Sequence, residues 1–171
     1  MRRLLNALYD AAGWLAALFM IGTLAMVLAG IFGRMFAFNI RGTDAYAGYC
    51  MAASSFLALA HTLKRGEHIR VTLILQHAGA NASRAMEIWC HAAAVFLGGA
   101  LAWFSIRLVW QSYAFNDISQ GNDATPLWIP QIGMALGATL LWMAFVDDLA
   151  VLLAGGKLPG AKLEAEPAHM E

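Results

Sequence analysis

Residues 11–33 read AAGWLAALFMIGTLAMVLAGIFG, an apolar run without one charged side chain. Three more uncharged runs cover residues 45–63, 88–106 and 127–146. Each has about 19 to 23 residues, and a helix rising about 1.5 Å per residue then matches a hydrocarbon core of roughly 30 Å. Because a helix satisfies its own backbone hydrogen bonds in lipid without neighbouring segments, the pattern predicts an all-α integral membrane protein with four transmembrane helices.

The overall composition points the same way. The 171 residues are 60% apolar and 13% charged, whereas a soluble domain carries about 25% charged residues. The formal net charge is zero, so overall charge predicts no nucleic-acid partner. The predicted spans place Cys50 and Cys90 near opposite faces of the membrane, too far apart for a disulfide. We therefore expect one membrane domain over residues 1–171.

The distribution of basic residues predicts how the chain is oriented. An even number of spans puts both termini on one side, and basic residues favour the cytoplasmic side. The first run is too long for the apolar part of a signal peptide, so we expect it to be retained. Cytoplasmic termini, with a loose tail over residues 157–171, place eight basic residues inside and three outside, which is the favoured bias. The outer three are Arg34, Arg41 and Arg107. The inner eight are Arg2, Arg3, Lys64, Arg65, Arg70, Arg84, Lys157 and Lys162.

The connection between the second and third spans carries its own pattern. Ile69, Leu73, Ile74 and Leu75 within residues 64–87 predict a short amphipathic helix lying at the membrane interface. The β-branched residues of Ile69-Arg70-Val71 make a strand the weaker alternative.

The middle of each span lacks a charged side chain. Ion-coupled carriers place ionisable groups or broken helices at mid-depth, so the chain is not expected to move a solute by itself. Small residues instead form faces for close helix contact. They occur at Gly133 and Gly137, at Ala94, Gly98 and Ala102, and at Gly48, Ala52 and Ser55, and they pack either inside the chain's own bundle or against a partner.

Charged residues gather where the spans end. Arg34 and Asp44 flank a short outer loop. They could pair with each other, contact a partner or remain solvated, and Asp44 could instead cap the second helix; the sequence leaves these alternatives open. Asp147 and Asp148 follow the fourth span. We expect them to face Arg65, Arg70 or water at the interface rather than to share a proton or bind a cation.

Two histidines raise an alternative function. His61 and His91 lie at similar depth near the inner ends of consecutive antiparallel spans, where two imidazoles are able to ligate a haem from opposite sides. This alternative predicts a haem- or quinone-bearing membrane anchor of a respiratory enzyme. We favour two locally hydrogen-bonded interfacial histidines, and we predict no catalytic residue, metal or cofactor.

Residues 60–71, AHTLKRGEHIRV, resemble the signature of the small, DctQ-like membrane subunit of TRAP transporters. Arg34 after the first span, the acidic Asp44 at the start of the second and Pro126-Leu127-Trp128-Ile129-Pro130 before the fourth are also similar. A Glu is commoner in that family where Asp44 stands, and an Asp often stands where this chain has Thr72. The resemblance extends over most of the chain in length, number of spans and order of loops.

The resemblance implies an accessory subunit of a sodium-coupled transporter for an organic acid in the bacterial inner membrane. A periplasmic binding protein would capture the substrate, and a large many-span membrane subunit would hold the substrate and sodium sites. The small subunit would pack against the scaffold of the large one and stabilise it. Arg34, Asp44 and His68 are the residues expected to order the helix ends or the subunit contact. An autonomous small transporter and a purely structural membrane protein are two further hypotheses.

Overall fold

The computed structural model describes residues 2–38, 41–65, 80–121 and 123–155. It contains four helices: α1 (Arg2–Met35), α2 (Thr43–Arg65), α3 (Ala80–Ala114) and α4 (Trp128–Leu153). Within these ranges the remaining pairing is a single antiparallel bridge between Ile118 and Pro126 in the loop before α4. The predicted all-helical class is confirmed.

The helices extend beyond the predicted spans. α1 begins nine residues before position 11, and α3 runs on through residues 107–114, beyond the end of the third apolar run. The apolar run reports only the part of a helix that matches lipid, whereas backbone hydrogen bonding continues into polar sequence. The predicted interfacial helix falls mostly on residues 66–79, outside the described residues, although residues 80–87 belong to α3.

Three helices contain segments that are long and apolar enough to cross a membrane, namely Leu5–Met35, Arg84–Ala114 and Trp128–Leu153. α2 has 23 residues but is less apolar, because hydroxyl, glycine and terminal charged residues make up much of it. The chain is thus a membrane protein, and its described residues contain three clear candidate spans.

α2 lies at the centre of the fold. It packs along α1 on one side and along α4 on another, while α3 packs along α4. The buried core joins the first, second and fourth helices, as in the cluster where Tyr9 packs against the small residues Ala60 and Ala144. The hydroxyl of Ser54 donates a hydrogen bond of 2.9 Å to the carbonyl oxygen of Ala16, which links α2 to α1.

The predicted small-residue face of α4 is a contact inside the chain. A Cβ atom added at Gly133 would lie 2.8 Å from Cβ of Ala53, and one added at Gly137 would collide with the backbone of Phe56. The two glycines therefore set how closely α4 approaches α2. Similarly, a Cβ atom at Gly98 would lie 3.2 Å from the ring of Phe145, so the small face of α3 packs against α4.

Candidate functional site

One lysine joins α2 to α4 at the end of the bundle where α2 finishes. Nζ of Lys64 lies 2.5 Å from Oδ2 of Asp147 and 2.9 Å from Oδ1 of Asp148. The side chains of Lys64 and Asp148 are only 15% and 6% exposed, while that of Asp147 is 30% exposed. Because this pair is shielded from water, the Coulomb attraction between its charges is stronger than in a pair at an open surface, and removal of one partner is correspondingly costly.

The same lysine also contacts α1. Its Nζ lies 5.5 Å from the centroid of the Tyr9 ring, within the range of a cation–π interaction. Nδ1 of His61 lies 3.1 Å from the backbone oxygen of Tyr9 and 3.6 Å from Oδ1 of Asp10. We call this group, comprising Tyr9, His61, Lys64, Asp147 and Asp148, the inner-end cluster, after the side of the membrane on which the sequence predicts it.

Of the partners expected for Asp147 and Asp148, Arg65 was wrong. Both carboxylates pair with Lys64, whereas Arg65 is exposed and Arg70 lies outside the described residues. Lys64 follows Ala53, Leu57 and Ala60 on the side of α2 that faces the core. Arg65 is rotated about 100° further around the helix, so its side chain leaves that side.

The inner-end cluster links the ends of α2 and α4 through ion pairs. In the described ranges, no three His, Cys, Asp or Glu side chains are grouped closely enough to hold a metal ion. A cleft of about 390 Å³ opens beside the cluster, and its wall includes Tyr9, Asp10, Lys64 and Arg65.

Arg34 and Asp44 form an ion pair at the opposite end. Nη2 of Arg34 lies 3.1 Å from Oδ2 of Asp44, and the two side chains are 75% and 83% exposed. Both border a polar cleft of about 750 Å³ beside the start of α2. The third predicted site residue, His68, lies outside the described residues, so the structure brings together two of the three.

Asp123 anchors the loop before α4 to α2, and the sequence pattern does not single it out as a functional residue. Tyr49 donates a hydrogen bond of 3.0 Å to Oδ2 of Asp123, and Ser119 donates one of 2.9 Å to Oδ1. Burial alone would raise the pKa of the Asp123 carboxyl, but hydrogen bonds from Thr125, Ser119 and Tyr49 hold it below its ordinary value. The loop is therefore held to α2 by an ionised carboxylate.

His61 and His91, the two histidines of the haem alternative, form hydrogen bonds with different partners. Nδ1 of His61 meets the backbone of α1, while Nδ1 of His91 lies 2.9 Å from the carbonyl oxygen of Glu87 in its own helix. α2 and α3 do not pack extensively against each other, since α4 is the principal neighbour of α3 and also packs along α2. The geometry does not place these histidines on two facing walls of one cleft.

The small face of α2 is the one that stays open. A Cβ atom added at Gly48 would meet nothing within 4 Å, and Ala52 and Ser55 on the same face are exposed. The hydroxyl of Ser55 is bonded within the helix, to the carbonyl oxygen of Met51 at 2.9 Å. Of the predicted small-residue faces, those of α3 and α4 are thus occupied within the chain.

Comparison with known proteins decides the family. The profile described as "Tripartite ATP-independent periplasmic transporters, DctQ component" matches residues 23–155. The chain belongs to the DctQ family. No match was found among curated protein sequences.

DctQ membership confirms the resemblance drawn from residues 60–71, Arg34 and Asp44. A DctQ protein is the small permease subunit of a TRAP transporter, a transport component and not an enzyme. Proteins of this kind work with a large membrane subunit and a periplasmic binding protein. The haem-anchor alternative has no support from the family or from the positions of His61 and His91.

Proposed function

We propose that this DctQ chain is the accessory subunit of a sodium-coupled, binding-protein-dependent transporter for an organic acid in the bacterial inner membrane. It crosses the membrane four times, with both termini in the cytoplasm. It packs against the scaffold of the large membrane subunit and stabilises that scaffold in the bilayer. The large subunit holds the substrate and sodium sites, and the binding protein delivers the acid from the periplasm.

The open small face of α2 is the observation that carries this proposal. Gly48, Ala52 and Ser55 are spaced to lie along one side of the helix, and Met51, which is 59% exposed, is the large side chain beside them. Membrane helices associate through small residues that permit close approach of their backbones. A helix of the large subunit would find here the same kind of surface that α4 already offers to α2 through Gly133 and Gly137.

The outward faces of the flanking helices differ from that of α2. α1 exposes Leu18 and Ile21, and α3 exposes Phe96 and Trp103. Large apolar side chains of this kind suit contact with lipid tails, where no close backbone approach is needed. The contrast favours lipid around α1 and α3 and protein against α2.

The lower hydropathy of α2 fits a fourth span that is covered by protein. Its 23 residues extend about 34 Å at roughly 1.5 Å per residue, which is enough to cross the hydrocarbon core. Its side toward α1 and α4 is already buried, so little of it would face lipid if a partner covered the open face.

Two matched leucine substitutions test the subunit contact. Ala52→Leu adds bulk to the open face of α2, whereas Ala25→Leu adds the same bulk to the exposed face of α1. With a tagged chain expressed beside the large subunit, we expect A52L to lower the recovered large subunit and sodium-driven uptake at least tenfold. A25L should stay within twofold of the wild type. Equal recovery with both variants would exclude this face as the contact.

A further inference from the structure

A groove along the last turns of α3 has no assigned role. It has a volume of about 460 Å³ and lies beside α4. Its wall is apolar toward the middle of α3, at Leu101 and Phe104, and polar toward the end of α3, at Arg107 and Gln111. The other residues of its wall are Ser105, Leu108 and Met134. The groove thus joins an apolar channel to a cationic end.

The cation at that end is free and within reach of a ligand. Arg107 is exposed, and among the residues that the structure describes no carboxylate pairs with its guanidinium. Arg34, in contrast, is already paired with Asp44. The planar guanidinium offers several N–H donors in a geometry that matches two oxygens of a phosphate. An anionic group would therefore find an available partner here.

The depth of Arg107 in the membrane indicates what kind of anion reaches it. The apolar run of residues 88–106 ends immediately before it, and Tyr113 further along α3 forms an edge-to-face pair with Trp128. Tyrosine and tryptophan gather at the level of the lipid headgroups. Leu101 lies about 9 Å further toward the middle of the helix, at roughly 1.5 Å per residue. The groove therefore runs from the headgroup level into the hydrocarbon core.

A second groove provides a comparison within the same chain. It also has a volume of about 460 Å³ and lies between α3 and α4 on another side of α3, where Trp110, Tyr113 and Ile132 are part of its wall. The described residues of that wall include no charged side chain. An acyl chain fits either apolar surface, but only the groove beside Arg107 is able to distinguish headgroups by their charge.

We propose that the groove beside Arg107 binds an anionic phospholipid of the phosphatidylglycerol type. The phosphate accepts hydrogen bonds from Arg107, the amide of Gln111 donates to the same headgroup, and one acyl chain lies along Leu101 and Phe104. A zwitterionic phospholipid carries its own ammonium, which competes with Arg107 for the phosphate, so it binds more weakly. The inference rests on the proposed crossing of the membrane by α3 and does not depend on the subunit contact of α2.

Native mass spectrometry of the purified full-length chain tests this site. The chain is extracted into detergent with equal amounts of phosphatidylglycerol, phosphatidylethanolamine and phosphatidylcholine, and the bound lipids are counted. We expect phosphatidylglycerol to be retained about fivefold or more above the other two, as one basic side chain near an anionic headgroup allows. Arg107→Gln should remove this preference. Arg41→Gln should keep it, because Arg41 is also exposed but borders the polar cleft beside α2.

Further measurements keep every outcome decisive. Circular dichroism melting establishes that R107Q and R41Q are folded. Soluble glycerol 3-phosphate, added to the wild-type chain at the concentration of the lipid, should displace little of it, because it has no acyl chain for the groove. Equal retention of the three lipids, equal losses in R107Q and R41Q, or full displacement by glycerol 3-phosphate would overturn the assignment. Loss of the lipid on co-purification with the large subunit would also overturn it and assign the groove to that subunit.

Discussion

Nζ of Lys64 on α2 and Oδ1 of Asp148 on α4 lie 2.9 Å apart although the residues are separated by 84 positions in the chain. The pair fixes the ends of two helices in register, and Asp147 and Tyr9 add contacts to the same ammonium. Breaking a buried pair by removing one partner leaves an uncompensated charge, which costs more than the pair itself contributes.

Removal of the lysine is therefore expected to destabilise the fold most. Lys64→Met leaves two carboxylates unpaired and should lower the free energy of unfolding by roughly 3 kcal/mol. Asp148→Asn should cost less, and Asp147→Asn least, because the side chain of Asp147 is more exposed. Thermal melting in detergent measures this order. A triple variant with K64M, D147N and D148N should recover part of the loss, and a further loss would contradict a charge effect.

Substitution by alanine should change stability differently at two glycines that both lie within helices. At Gly137 the added methyl group would meet the backbone of Phe56, which has no rotamer through which to move away. G137A is expected to destabilise the chain by about 1–3 kcal/mol. At Gly48 the methyl group would enter open space, and G48A should be neutral or stabilise by up to about 1 kcal/mol. Melting of both variants side by side checks this, and equal losses would refute the close packing of α4 on α2.

The loop that Asp123 anchors should detach from α2 only at acidic pH. Because its pKa lies below the ordinary value of 3.8, the ionised form is favoured in the folded loop. Its contribution is fully present above pH about 3.8 and is lost as the pH falls through the lower, folded pKa. Hydrogen exchange of the Asp117, Ser119 and Leu127 amides, taken relative to the intrinsic rate at each pH, should stay slow from pH 8 to pH 5 and should rise below pH about 3.8. D123N should raise it throughout that range and the exposed D117N should not.

The Arg34–Asp44 pair is expected to contribute little to the isolated subunit. Both side chains are well exposed, and such pairs are worth about 0–1 kcal/mol. R34A and D44A should therefore melt within a few degrees of the wild type. If these residues and His68 order the subunit contact, as we predict, their alanine variants lower recovery of the large subunit. Unchanged recovery and uptake with all three replaced would reject that role.

The number of membrane crossings has a direct test in the positions of the termini. Four crossings put both termini on the same side, which the basic residues predict to be the cytoplasm, whereas three crossings put them on opposite sides. Reporter fusions that are active on only one side of the membrane, placed at each terminus in turn, distinguish the two arrangements. We expect a cytoplasmic signal from both ends, and a periplasmic signal from one end would remove α2 from the set of spans.

The amino-acid sequence alone determined the class and the family of this chain. Lipid excludes charge and unpaired backbone over a fixed thickness, so spans appear as uncharged apolar runs whatever their neighbours are. α2 was also identified as a helix in this way, although its composition is less apolar than that of the other three. The residues of 60–71, with Arg34 and Asp44, were sufficient to indicate the DctQ family.

Only the tertiary structure decided which residues meet. Lys64 and Arg65 are neighbours in sequence, yet one is held between two aspartates and the other is exposed, because one residue turns a helix by about 100°. Gly48 and Gly137 carry the same small-residue signal, yet one faces open space and the other faces α2. Spacing along one helix defines a face, but the rotation and packing of its neighbours determine what that face contacts.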